Sequence, residues 1–173
     1  MKTFICMSFI TTALLTSGFR DTGYRQIFIR ENFSRISIKG DIKVILIQNR
    51  DDSVLKYKDG SISAAVENGE LVVRKKNGFF SNRQPFVIIP VNQLQALKIT
   101  DEASVFTQGI LQTSELYIDH KGNGVIKLSV AADNVFVCSR GKGKIQIEGN
   151  YKQTLARQDE TGCMIIEYSN KEK

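Results

Sequence analysis

The chain has 173 residues, of which 42% are hydrophobic and 24% charged, a balance typical of a globular protein long enough to bury a core. Its net charge of +6 favours anionic partners. No run of Lys and Arg forms a phosphate-tracking patch, so the composition excludes nucleic acid as the expected partner.

The N-terminus has the pattern of a secretory signal. Lys2 is followed by an uncharged, largely apolar stretch that continues to Arg20 and contains several Ser and Thr. It falls short of the roughly 20 apolar residues that a membrane-spanning helix needs. We therefore predict a signal peptide at residues 1–18 and a single mature domain at 19–173, in the periplasm or at the cell surface, with no transmembrane span after cleavage. The alternative is a buried first element of a cytosolic protein.

From Phe33 onward the pattern is strand-like. Short apolar runs alternate with polar residues at 36–38, 42–47, 53–57, 61–66, 71–74 and 85–91. Asn68 and Gly69 between two such runs are a strong hairpin signal. No window shows a helical period of adequate length beyond the signal, so the sequence predicts an all-β domain.

Beyond Leu94 the apolar pattern repeats every 19 residues. The repeated pairs are Leu97 and Ile99, Leu116 and Ile118, Val135 and Val137, and Thr154 and Ala156. One such unit cannot bury its apolar face alone, so successive units must stack with equivalent residues about 4.8 Å apart. We predict a parallel β-helix-like solenoid with 19-residue coils in the C-terminal half and irregular strands and hairpins in the N-terminal half.

Two glycine-x-glycine turns, HKGNG at 120–124 and SRGKG at 139–143, precede alternating strand patterns. A phosphate cradle needs a helix after the turn, whose N-terminus supplies the field, and here a strand follows. We interpret the turns as sharp corners that need positive φ or the absence of Cβ. The predicted structural turn residues are Gly122, Gly124, Gly141, Gly143 and Gly162.

Four stretches together resemble a known family. They are FSRISIKGDIKVILIQ at 33–48, ENGELVVRKK at 67–76 and the two glycine turns, and they are similar to the putative auto-transporter adhesin family, head GIN domain, over about Phe33 to Ile166. The resemblance implies a β-helix-like fold, an exported location and an adhesin-like or scaffold role, and it implies no established catalytic residues. In the family the turn reads serine-glycine-alanine-glycine; here Lys121 and Arg140 replace the serine, which makes the turns more basic.

A column of charges follows from the 19-residue period: Glu102, Lys121, Arg140 and Asp159. One reading is a charge ladder that fixes the register, because exposed pairs of this kind contribute only roughly 0 to 1 kcal/mol each. The other reading adds Lys142 and Lys144 to Lys121 and Arg140, which forms a basic corner for acidic sugars or lipid headgroups.

The face opposite the core carries the second candidate site. If Leu97 and Ile99 point inward, an outward column contains Lys98, Tyr117, Phe136 and Leu155. An exposed aromatic stripe of this kind is covered by another segment or by a partner subunit, or it stacks against sugar rings. Tyr117 and Phe136 are therefore candidate binding residues, and an oligomer through this column is one alternative.

Catalysis and metal binding find little support. His120 is the only histidine, and its column of Asp101, His120, Ser139 and Gln158 is interpreted as a solvated polar ladder. We predict no catalytic residue, no metal site and no cofactor. Cys138 and Cys163 permit one disulfide in an oxidising compartment, but they lie at different points of their repeats, so a bridge between them is possible and not expected.

The predicted function is an exported, non-enzymatic, adhesin-like binding or scaffold domain at the bacterial cell envelope, whose partner is an envelope glycan or protein. One alternative is a carbohydrate-active β-helix enzyme, for which Asp101 and Asp119 would be the acidic candidates. Another is a self-assembling structural protein that stacks through its coil ends.

Overall fold

The structure is a computed structural model that describes residues 24–48, 54–58, 62–76, 84–149, 153–158 and 164–169. The predicted signal peptide, the Asp-Gly pair at 59–60 and Gly162 lie outside these residues. Within them the chain forms sixteen strands and no helix. The strands are β1 (Arg25–Phe28), β2 (Arg35–Lys39), β3 (Lys43–Gln48), β4 (Val54–Lys58), β5 (Ile62–Glu67), β6 (Glu70–Lys75), β7 (Phe86–Val91), β8 (Ala96–Asp101), β9 (Ser104–Gln108), β10 (Leu111–Gln112), β11 (Glu115–Gly122), β12 (Val125–Ala131), β13 (Asn134–Arg140), β14 (Lys144–Glu148), β15 (Gln153–Gln158) and β16 (Met164–Ser169).

The strands form two mixed sheets, so the predicted all-β class is confirmed. In sheet 1 the order is β1-β4-β7-β3-β9-β12-β10, with β14 also paired to β12. In sheet 2 the order is β15-β16-β13-β11-β8-β2-β6-β5. Among the described residues no helix is long and apolar enough to cross a membrane.

Alternation along the strands builds one core between the two sheets. Most apolar residues that point inward are buried, and burial of a Val, Leu or Ile side chain stabilises the fold by roughly 1.5–3 kcal/mol. The inward set in sheet 2 is Ile36, Ile38, Leu71, Val73, Leu97, Ile99, Leu116, Ile118, Val135 and Val137. The inward set in sheet 1 is Val44, Leu46, Val87, Ile89, Val91, Val105, Leu111, Ile126, Leu128 and Val130.

The predicted 19-residue offset holds between β11 and β13, which are parallel. Ile118 lies opposite Val137, and His120 contacts Ser139 across an offset of 19 residues. Between β8 and β11 the prediction is wrong, because Leu97 lies opposite Ile118 instead of Leu116. The same longer offset, 21 residues, separates Ser104 from Val125 in sheet 1.

A two-residue insertion causes this change of offset. Gly109 and Ile110 separate β9 from β10, and they stand outside both strands. Gly109 has a φ of +84°, which favours glycine, and Ile110 is 61% exposed. Because two residues restore the same face of the strand, inward and outward positions keep their alternation. The sequence pattern therefore looks uniform although the register shifts.

The N-terminal half, for which the sequence predicted irregular strands and hairpins, continues the same two sheets as the C-terminal half. Strands β2 and β3 lie parallel beside β8 and β9, and β6 and β7 lie parallel on the other side of β2 and β3. The hairpin at Asn68 and Gly69 joins β5 to β6, and both residues have positive φ, at 52° and 74°. Strand β1, which the sequence did not predict, pairs with β4 at the edge of sheet 1.

Antiparallel strands close the parallel stacks. Strand β5 pairs with β6, β4 pairs with β7, and β16 pairs with β13. The fourth predicted coil is therefore wrong: the strand that contains Thr154 and Ala156 pairs with β16 and not with β13. Such strands cover sheet edges that would otherwise invite pairing with another chain.

Cys138 is disulfide-bonded, and the other half of the bridge lies outside the described residues. The sequence left a bridge possible but did not favour one, so the bonded state of Cys138 departs from the expectation. That expectation rested on the 19-residue period, and the period fails where β16 runs antiparallel to β13. Ile165, two residues after Cys163 in the sequence, lies opposite Cys138.

The glycine corners are structural because two backbones approach each other closely there. A Cβ on Gly122 would lie 1.8 Å from the Asp101 carbonyl oxygen. A Cβ on Gly141 would lie 2.1 Å from the Gly122 carbonyl oxygen. Gly122 and Gly141 also have positive φ, whereas Gly124 and Gly143 do not. At Gly143 the constraint is space alone, since a Cβ would lie 2.3 Å from both the Gly124 oxygen and the His120 ring.

Replacing Gly124 tests whether the lack of space for a Cβ is the reason that these corners need glycine. In Gly124→Ala the new Cβ would lie 1.7 Å from the Ala103 carbonyl oxygen, and we expect the free energy of unfolding to fall by about 2 kcal/mol or more. The matched control is Gly109→Ala, where nothing lies within 4 Å and only the positive φ opposes the substitution. For this control we expect the free energy of unfolding to fall by only about 1 kcal/mol. Urea denaturation measures both, and equal losses would contradict the steric explanation.

Candidate functional site

The outer face of sheet 2 carries a row of cations, which we call the basic row: Arg74, Lys39, Lys121 and Arg140. Lys39 lies opposite Arg74 on β6 and opposite Thr100 on β8; Lys121 lies opposite Thr100 and Arg140. Lys39, Arg74 and Lys121 each follow a buried residue, and Arg140 is exposed at the outward position of the alternation on β13, so the side chains point away from the core. Four strand spacings of about 4.8 Å make the row about 19 Å long.

Asp119 neutralises part of this charge. Its carboxylate lies 3.6 Å from Lys121 Nζ and 3.6 Å from an Arg140 guanidinium nitrogen, and Lys98 lies opposite it in the register. These exposed ion pairs contribute little to stability. Their effect is to hold Lys121 and Arg140 side by side, so that the face retains a net positive charge.

The predicted charge column is only partly present. Lys121 and Arg140 are neighbours, but Thr100 and not Glu102 lies beside Lys121 because of the longer offset. Asp159 lies outside the described residues. Lys142 lies on the exposed turn between β13 and β14, and Lys144 begins β14, where it pairs with Val125 in sheet 1. The four predicted basic residues are therefore split between two sheets and the turn that joins them.

Tyr117 and Phe136 form a stacked pair on the same outer face. Their ring centroids are 4.8 Å apart with an interplanar angle of 11°, and Tyr117 is 48% exposed. The Tyr117 hydroxyl donates a hydrogen bond to Glu115 Oε2 at 3.3 Å. Partial desolvation and, to a smaller extent, the charge of Glu115 raise the pKa of Tyr117, so the hydroxyl remains protonated at neutral pH.

The other two members of the predicted aromatic column lie elsewhere. Lys98 lies opposite Asp119, and Ala96 takes the place beside Tyr117. Leu155 lies on β15, which pairs with β16, so it is not a neighbour of Phe136 in the sheet. The aromatic surface is therefore a pair of rings and not a stripe of four residues.

His120 is buried, which corrects the prediction of a solvated polar ladder. Its side chain is 0% exposed, and its Nδ1 lies 3.4 Å from Ser139 Oγ. Its Nε2 has no hydrogen-bond partner within the described chain. Burial lowers the pKa of His120, against a smaller opposing effect of the Asp119 charge. The missing Cβ of Gly143 leaves room for the ring.

The acidic candidates for catalysis do not converge. Asp101 has a positive φ of 65° and occupies the corner position opposite Gly122, whereas Asp119 lies opposite Lys98 and is ion-paired. In the part of the chain that the structure describes, no three His, Cys, Asp or Glu side chains gather as a metal site.

A polar groove of about 1150 Å³ lies at the corners where the chain passes from sheet 1 to sheet 2, at the opposite ends of the strands from the glycine turns. Its walls include Asn92, Gln93, Gln112 and Asp133. Sequence reasoning missed it, because these residues form no repeated column. The only signal was the frequency of polar side chains just after the sheet 1 strands.

These features define the class of the molecule: a helix-free protein, over its described residues, whose parallel strands stack in two sheets around one core. Residues 32–165 match the model of the family described as "Putative auto-transporter adhesin, head GIN domain". The chain belongs to this family. Membership agrees with an exported or surface protein.

Solved structures with similar folds are distant in sequence. A putative adhesin from Bacteroides fragilis has a TM-score of 0.67 at 19% identity, and the match covers 73% of this chain and 62% of that one. A putative lipid binding protein from Parabacteroides distasonis has a TM-score of 0.58 at 18% identity, with 72% and 58% covered. The chain thus spans less than two thirds of either structure. No curated protein matches it significantly.

The burial of His120 predicts a pH dependence of stability. Its folded pKa lies below the unfolded value of 6.5, so below that pH the unfolded chain binds more protons than the folded one. We expect the free energy of unfolding to decrease as the pH falls below about 6.5, relative to the His120→Leu variant, which cannot titrate there. Urea denaturation of both proteins between about pH 7.5 and about pH 5 measures this difference. Parallel profiles would contradict the assignment.

Proposed function

We propose that this protein is an exported, non-enzymatic, adhesin-like binding protein that recognises an acidic glycan of the cell envelope through the outer face of sheet 2. The observation that carries the proposal is the register of five parallel strands, which aligns the basic row. A linear array of cations on a flat sheet complements an extended polyanion, and it raises the local concentration of such a ligand by long-range attraction.

The aromatic pair makes a glycan a better ligand than an isolated anion. Tyr117 and Arg140 lie on adjacent strands of the same face, and Phe136 lies four residues before Arg140 on β13. Four residues correspond to about 13 Å along a strand. One extended chain can therefore contact the cations with its carboxylates and the exposed Tyr117 ring with the apolar face of a sugar.

The predicted export agrees with the chemistry of Cys138. Disulfides persist in oxidising compartments such as the periplasm and the cell exterior, and Cys138 is disulfide-bonded. The signal pattern at residues 1–18 and the adhesin family support the same location. The periplasm and the surface are both consistent with these observations.

We also propose that the paired strands wind as a β-helix-like solenoid. Parallel pairing of β8 with β11 and of β11 with β13 in sheet 2 is matched by β9 with β12 and β12 with β14 in sheet 1. Each turn of chain thus contributes one strand to each sheet. This arrangement gives the basic row its straight course.

Removal of the basic row tests the proposal. In a variant with Lys39→Gln, Arg74→Gln, Lys121→Gln and Arg140→Gln, we expect retention on immobilised polygalacturonate to weaken by more than about tenfold, because the ligand loses its complementary charges. Wild-type retention should decrease steeply with added salt. The matched control carries Lys43→Gln, Lys56→Gln, Lys58→Gln and Lys127→Gln, which removes the same charge from sheet 1.

The control separates specific recognition from net charge. Equal losses in the two variants would show that only the overall charge matters and would contradict the proposed face. Vesicles of anionic phospholipid provide a second arm, since the Parabacteroides neighbour is named a putative lipid binding protein. Binding to vesicles without binding to polygalacturonate would replace the glycan by a lipid headgroup.

The aromatic pair has its own prediction. Tyr117→Ala removes the exposed ring and should weaken polygalacturonate binding by about fivefold to tenfold, whereas Tyr117→Phe keeps the ring and should bind nearly as well as wild type. Equilibrium titration at fixed salt measures both affinities. If Tyr117→Phe loses as much affinity as Tyr117→Ala, the hydroxyl and not the ring would be the contact.

A further inference from the structure

We infer that the polar groove is a second binding site, which takes a neutral glycan chain. The groove lies where separate segments of the chain meet: the connection from β1 to β2, the ends of β3, β7, β10 and β12, and the turn between β5 and β6. It shares no residue with the basic row or the aromatic pair. The inference therefore goes beyond the proposed function, in both its place on the molecule and the charge of its ligand.

The floor of the groove is rigid because its backbone is hydrogen-bonded from corner to corner. Gln95 N donates to Ser34 O at 2.7 Å, Thr113 N donates to Ala131 O at 3.1 Å, and Asp133 N donates to Ser114 O at 3.0 Å. These bonds continue the sheet pairing through the corners. A site on such a scaffold loses little conformational entropy when a ligand binds.

Gln48 fastens two of these corners together. Its Nε2 donates to Asn92 O at 3.2 Å and to Gln112 O at 3.1 Å, and its Oε1 accepts from Gln112 N. The amide group of Gln48 is thus occupied within the protein. It holds Asn92 and Gln112 at a fixed separation on the groove wall.

The side chains of Asn92, Gln93 and Gln112 remain available for a ligand. All three are exposed, and none has a side-chain hydrogen bond within the described part of the chain. A carboxamide presents a donor and an acceptor together, as a pair of sugar hydroxyls does. Ser114 adds an exposed hydroxyl to the same wall.

The charge of the groove excludes the ligand of the basic row. Glu31 and Asp133 line it, and no Lys, Arg or His is among its described lining residues. A polyanion would be repelled, whereas carboxylates accept hydrogen bonds from neutral sugar hydroxyls. Half-buried Phe33 supplies an aromatic surface for the apolar face of a sugar ring.

The size of the groove fits an oligosaccharide. Small-ligand pockets measure roughly 300–1,000 Å³, and the groove, at about 1150 Å³, exceeds this range. It is open to solvent, so a ligand can reach it from the surface. The chemistry and shape together fit a short segment of a neutral glycan.

The test uses the mature protein and a fixed set of probes: the hexasaccharides of cellulose, xylan, mannan, amylose and chitin. We expect wild type to bind at least one of them in isothermal titration. The groove variant carries Asn92→Ala, Gln93→Ala and Gln112→Ala, all at exposed positions, and should bind that probe at least tenfold more weakly. The matched control, with Gln26→Ala, Gln108→Ala and Asn123→Ala, removes three exposed carboxamides outside the groove and should bind as wild type does.

The outcomes separate this inference from the proposed function. Wild type that binds none of the five hexasaccharides, or groove and control variants with equal affinity, would overturn the groove assignment. The basic-row variant should bind the neutral probe normally, and the groove variant should retain polygalacturonate binding. A variant that loses only polygalacturonate binding is affected at the basic row. A variant that loses only binding of the neutral hexasaccharide is affected at the groove.

Discussion

Hydrogen bonding between neighbouring parallel strands in the two sheets is the constraint on which the rest of the structure depends. It sets paired residues one strand spacing apart, so the inward positions form columns that are mostly apolar. The exception is the column in which His120 and Ser139 follow Ile99. At the corners the same spacing brings one backbone against the next. Only a residue without Cβ fits there, as at Gly124 and Gly143, even where φ is ordinary.

The pairing that builds the core also builds the surfaces. A row of outward residues runs across the strands, so its members come from segments that are distant in the sequence. Lys39 and Arg74 from the N-terminal half thus join Lys121 and Arg140 from the C-terminal half. At the other ends of the strands, stacked corners produce a groove of opposite electrostatic character. One register therefore places two chemically different faces on a single core.

Regular stacking has to end, and the chain ends it with antiparallel strands. Strand β16 turns against β13, and β5 and β4 do the same at the other end. These strands form hydrogen bonds with the backbone N–H and C=O groups at the edges of the parallel stacks, which would otherwise be open to another strand. They also explain why the repeat pattern misleads at the C-terminus: Thr154 and Ala156 match the period, although the strand that follows them takes the place beside β13.

The sequence by itself determined the all-β class, the alternation of the core, the glycine corners and the Asn68-Gly69 hairpin, because each follows from local spacing within one strand or one turn. It also determined the pairing of Tyr117 with Phe136, because the chain between these two residues keeps the 19-residue period. Only the tertiary structure decided the shifted offset at Leu97, the burial of His120 and the full extent of the basic row. A period of two hides an even insertion such as Gly109 and Ile110, and strand order across a sheet is not a local property of the chain. The groove also depends on the tertiary structure, since its lining residues come from segments that are distant in the sequence and meet only in the fold.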